Sequence, residues 1–129
     1  VLRLKDIRAA FATYNRTLFG GRLTEPRFAV RKMRDLGCWH EPGPKYPTGL
    51  LVLASGQKHP MSWRATLVHE LLHIAVPDYE ADDHGPLFLA EANKVGKLLG
   101  LDECEPCDAW VWPSHNGSWE PPPDANILD

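Results

Sequence analysis

The segment from Ser62 to Val76 constrains the fold of this chain more than any other. It reads Ser-Trp-Arg-Ala-Thr-Leu-Val-His-Glu-Leu-Leu-His-Ile-Ala-Val and is followed by Pro77. Serine is a favoured residue at a helix start, and proline disfavours helical geometry at the residue before it, so the segment is bounded as one helix. Leu67, Val68, Leu71, Leu72, Ile74 and Ala75 would bury most of that helix. Three ionisable side chains, His69, Glu70 and His73, sit inside this apolar stretch. Burying such groups is costly unless they are hydrogen-bonded or bound to a metal.

His69 and His73 lie one helical turn apart on the same face, a spacing that lets two imidazoles grip one metal ion with Glu70 beside it. Zinc suits this arrangement: neutral imidazoles bind it at about 2.0–2.1 Å, and a catalytic site keeps one position of its tetrahedron open. A third protein ligand is needed. His84 is the best candidate, eleven residues past His73 after a loop containing Pro77 and Asp78 and just before Gly85, with Glu91 or Glu80 as the alternative. Zinc lowers the pKa of a water towards 7, and Glu70 is then placed to act as general base in peptide-bond hydrolysis. Tyr79, between the second and third ligands, is a candidate donor to a developing oxyanion.

Around this helix the chain reads as one α+β domain. Leu4, Ile7, Ala10, Phe11, Tyr14 and Leu18 are spaced three or four apart, which predicts an amphipathic helix over 3–19, stopped by Gly20 and Gly21. Short segments near 26–33, 36–41 and 49–54 are separated by turn residues and predict a small antiparallel sheet. A third helix is expected from His84 or Pro86 to Leu99, carrying Leu87, Phe88, Ala92, Val95, Leu98 and Leu99, with Gly100 as its cap. The 129 residues fit one compact domain, expected over 1–101, followed by an acidic extension over 102–129 rich in Pro and Trp.

Composition narrows the function classes. An apolar content of 43% excludes a disordered chain, and no run approaches the roughly 18 apolar residues of a membrane span. Three cysteines are too few for a secreted disulfide scaffold, which favours a reducing, intracellular setting such as the cytoplasm, the nucleoid or the nucleus. The net charge of −3 hides an asymmetry: residues 1–34 carry nine Lys or Arg against two acids, the remainder five against fifteen. Arg27, Arg31, Lys32 and Arg34 could follow a nucleic-acid backbone, although a solvated basic face is the commoner meaning of such a run.

Two stretches, Thr66-Leu67-Val68-His69-Glu70-Leu71-Leu72-His73 and Asp83-His84-Gly85-Pro86-Leu87-Phe88, resemble the SprT-like metallopeptidase family, to which the Spartan proteases belong. The second is similar to the family's His-Gly-Pro-x-Phe stretch and is the more specific. Tyr14, Asn15, Leu18, Phe19, Gly21 and Leu23 resemble the opening helix and turn of that family, with Gly37 on the strand that follows. The resemblance covers roughly residues 4–100. It implies a zincin-like domain with the His-Glu-x-x-His helix second of three, zinc on His69, His73 and His84, and Glu70 as the catalytic residue. It also implies a protein substrate, for Spartan-type members a protein crosslinked to DNA. The chain is expected to act as a monomer.

The chain departs from many relatives at its C-terminal end, where a four-cysteine zinc ribbon is replaced by Cys104 and Cys107 alone. His115, with Cys38 if the fold brings it close, would be needed to complete a second zinc set. Trp110, Trp112 and Trp119 either anchor the tail or stack on unpaired bases. Two rival readings follow: a nucleic-acid-binding module in which zinc is structural, and a protein-interaction module that uses its tail, neither with peptidase activity.

Overall fold

In a computed structural model the described part of the chain comprises residues 2–55, 62–76 and 85–98. Its elements are α1 (Leu4–Leu18), β1 (Arg27–Arg31), β2 (Gly37–His40), β3 (Leu50–Ala54), α2 (Ser62–Ala75) and α3 (Pro86–Leu98). Three helices and a small sheet make an α+β domain.

Helix α1 buries Ile7, Ala10, Phe11, Tyr14, Thr17 and Leu18, while Leu4 at its start remains exposed. Gly20 and Gly21 take φ of 63° and 75°, the left-handed region that ends a helix at little cost in glycine. The Gly21 N–H donates to the Asn15 carbonyl at 2.8 Å. The Asn15 side chain then brackets Leu23: its Nδ2 donates to the Leu23 carbonyl and its Oδ1 accepts from the Leu23 N–H, each at 3.0 Å. This bracket fixes the chain from Arg22 to Thr24 as it leaves the helix.

The sheet is mixed, not antiparallel as the turn-rich sequence suggests. Its order is β1-β3-β2, with β1 parallel and β2 antiparallel to β3. The reason lies in β3, Leu-Leu-Val-Leu-Ala, which is buried at every position. A continuous apolar run belongs in the middle of a sheet, where both edges are hydrogen-bonded and both faces covered. The half-exposed strands β1 and β2 take the edges instead. Residues 32–49, which include β2, form the connection that a parallel β1–β3 pair requires.

Side chains alternate along each strand, so the register assigns the faces. Phe28 pairs with Leu51, Trp39 with Leu51 and Gly37 with Leu53, and Phe28 meets Phe11 of α1 edge-to-face at 5.6 Å. These positions therefore face the helices. The core under them is completed by Leu67, Val68, Leu71 and Leu72 of α2, all fully buried.

Helix α3 starts on Pro86, whose missing N–H costs nothing at a first helical position. Phe88, Ala92 and Val95 are buried, but Leu87 and Leu98, expected on the apolar stripe, are exposed. No helix among the described residues is long and apolar enough to cross a membrane. Leu99, Gly100 and the extension over 102–129 lie outside the described residues.

Candidate metal centre

Helix α2 carries all of His69, Glu70 and His73. With Leu67, Val68, Leu71 and Leu72 committed to the core, the helical repeat leaves the two histidines half-buried on the adjoining flank. Their rings lie 5.0 Å apart between centroids, inclined by 72°. One donor atom each from His69, Glu70 and His73 falls within 4.8 Å of the others, a group that could hold a metal ion. Two nitrogens bound to one zinc at about 2.0–2.1 Å lie no more than about 4 Å apart. Imidazole and carboxylate donors are of the type that zinc accepts, and the group is one that could hold a metal ion.

Phe88 of α3 fixes the rings from one side. Only 2% exposed, it sits 4.6 Å from the His73 ring and 5.7 Å from the His69 ring. It excludes water there and restricts ring rotation, as the apolar wall of a metal site does.

Strand β2 closes the other side. A Cβ at Gly37 would lie 2.8 Å from Thr66 Cγ2, 3.3 Å from the Val52 carbonyl oxygen and 3.4 Å from Glu70 Cγ. Only a residue without a side chain lets the strand pass this close, and the approach helps leave Glu70 only 6% exposed. Gly37→Ala is expected to destabilise the fold by about 1–3 kcal/mol, the usual cost of overpacking, and to displace Glu70. A lowered thermal midpoint would bear this out; a variant as stable as the native chain would show the contact to be slack.

Cys38 is the next residue, on the opposite face of the sheet with His40, its Sγ 3.6 Å from His40 Nε2. Burial first, then the Glu70 and Asp35 carboxylates, pushes its thiol pKa up, so it stays protonated. The suggested partners of Cys38 in a second zinc set, Cys104, Cys107 and His115, lie outside the described residues, as do Trp110, Trp112 and Trp119.

His84 is also outside the described residues, together with Tyr79 and Glu80. Glu91, the other alternative ligand, does not join the metal group: it forms an ion pair with Arg22. Arg27, Arg31, Lys32 and Arg34 are exposed on and just after β1, the sheet edge opposite β2, with Arg27 over the Tyr46 ring.

No family model, curated protein or solved structure matches this chain. The geometry of the site includes one feature that the sequence does not display. A cleft of about 650 Å³ opens beside the metal group, with His73 in its wall and Trp39 of β2 and Arg22 among its lining. The signal was the spacing of Gly37 and Trp39, two residues apart on one strand and so on one face.

Proposed function

We propose that the chain is a zinc-dependent endopeptidase of the SprT-like type, hydrolysing protein substrates at the His69, Glu70 and His73 group. The observation that carries this reading is the grouping itself: two imidazoles and a buried carboxylate within 4.8 Å, next to a sheet edge and an open cleft. His84 is the proposed third ligand. It immediately precedes Gly85, and α3 begins one residue later and carries the Phe88 that lies against both rings.

Zinc bound there would supply Lewis acidity, bringing the pKa of a water towards 7 and polarising the scissile carbonyl. Glu70 does the proton work. Its carboxylate takes a proton from the attacking water and passes it to the leaving amine nitrogen, a step that contributes typically about 10²–10⁴-fold.

Strand β2 presents the substrate. The Ala54 N–H donates to the Leu36 carbonyl at 2.9 Å, which makes Leu36 and Ala54 a hydrogen-bonded pair. Antiparallel pairs alternate, so the backbone groups of Gly37 and Trp39 point away from β3, towards the outer edge. An extended peptide can add there as a further strand, its backbone held beside Glu70.

The exposed basic edge at β1 supports substrates near nucleic acid, and is also the observation that favours the second reading, a nucleic-acid-binding module with structural zinc. Cleavage of a loosely folded protein separates the two, measured with zinc, with a chelator, and with and without single-stranded DNA. The endopeptidase reading expects chelator-sensitive cleavage restored by zinc. Salt-sensitive DNA binding without cleavage under any of these conditions would favour the binding module.

A further inference from the structure

We infer that the cleft ending at His73 is a subsite for one large apolar side chain of the substrate, and that Trp39 determines this specificity. The inference rests on the peptidase reading and adds a substrate class to it.

The lining is mixed, with its apolar part on one helix end, one strand and one loop. Ile74 and Ala75 continue α2 past His73, Trp39 projects from β2, and Pro42 and Pro47 come from the loop between β2 and β3. The volume of about 650 Å³ lies within the roughly 300–1,000 Å³ of ordinary ligand sites. Two charged residues, Arg22 and Glu41, and two threonines, Thr24 and Thr48, also border it. The Arg22 guanidinium is engaged by Glu91 and lies 5.8 Å from the centre of the Phe19 ring, so it is not a free cation waiting for an acidic substrate. Glu41 disfavours an acidic side chain as well. The apolar surface available for recognition is the indole, Leu23, the prolines and the aliphatic end of α2, with Thr24 and Thr48 as the uncharged polar groups.

Trp39 is held in place. Its ring lies against Gly49, which has φ of +87°, and a Cβ at Gly49 would collide with the six-membered ring of the indole. The turn before β3 thus seats this side chain, which also packs against the edge of the hydrophobic core. The same strand sets the register. Gly37 lies against Thr66 and Glu70, while Trp39, two residues on, shares the cleft with His73. In a peptide paired on the outer edge of β2, side chains alternate in the same way. The residue opposite Trp39 enters the cleft when the residue opposite Gly37 lies beside Glu70. The selected side chain therefore stands at one fixed offset from the bond that is cut.

The experiment uses the full chain carrying Glu70→Gln, loaded with zinc, and fluorescein-labelled extended peptides that differ at one position, Phe, Leu, Ala or Asp. Fluorescence anisotropy is expected to show the Phe and Leu peptides binding about 10-fold or more tighter than Ala or Asp, as burial of a large apolar side chain predicts. Trp39→Ala in the same background should abolish the discrimination, Trp39→Phe should keep most of it, and Gly49→Ala should weaken it by displacing the indole. A thermal melt confirms that each variant is folded. Equal affinity for Phe and Asp peptides, or discrimination that persists in folded Trp39→Ala, overturns the inference. Cleavage of the same peptides by the native chain reports separately on the peptidase reading: selective binding without cutting sinks hydrolysis and keeps the subsite, whereas cutting without preference keeps hydrolysis and sinks the subsite.

Discussion

Glu70→Gln is expected to slow proteolysis by about 10²–10⁴-fold, the usual contribution of a general base, while zinc stays bound. Glutamine keeps the size of the side chain and can still accept a hydrogen bond, but it cannot take a proton. Glu70 is enclosed between α2 and β2, with Gly37 against its Cγ position, so an isosteric change leaves the surrounding packing intact. A loss confined to kcat, with an unchanged thermal midpoint and zinc content, would identify Glu70 as a group acting in the reaction. Full activity in the folded, zinc-loaded variant would remove it from that role and leave the water without the proposed base.

His73→Ala is expected to have the next largest effect, through the metal. The two imidazoles reach one site only as a pair, and removing one leaves a single histidine on α2. Zinc should be lost at stoichiometric concentrations and cleavage with it. Because His73 is half-buried and lines the cleft, its ring is not part of the central core, and the variant should still fold. The thermal melt makes the distinction. Metal that binds only the folded state stabilises it by RT ln(1 + [L]/Kd), about 4 kcal/mol at 1,000 times Kd. The native chain should therefore melt higher with added zinc, and His73→Ala at a midpoint that zinc does not move. A zinc-dependent shift that survives in His73→Ala would place the metal elsewhere.

The candidate centre was legible because its residues come from one helix. Helical spacing alone puts His69 and His73 on one flank, and the apolar residues between them say which side is buried. The ends of α1, α2 and α3 follow from Gly20, Pro77 and Pro86, since glycine and proline act through their own backbone geometry. What remained hidden depends on partners far away in sequence. Nothing local in 27–54 distinguishes three antiparallel strands from a mixed sheet; only the complete burial of Leu50 to Ala54 shows that β3 takes the centre. The helical repeat cannot tell that Leu87 is exposed while Phe88 lies between α3 and the histidines, because that depends on how α3 meets α2. Glu91 was an alternative ligand on sequence alone, and the ion pair with Arg22 becomes visible only in the fold. Trp39 gave no signal beyond its two-residue spacing from Gly37, and its importance comes from the cleft it shares with His73.

The most direct test is the zinc content of the chain after equilibration with zinc and removal of unbound metal, measured by inductively coupled plasma mass spectrometry. It compares the native chain, Glu70→Gln and the double variant His69→Ala with His73→Ala. One zinc per chain in the first two and none in the third is the expected result. A native chain that holds no zinc, or a double variant that keeps it, would contradict a metal centre built on His69 and His73.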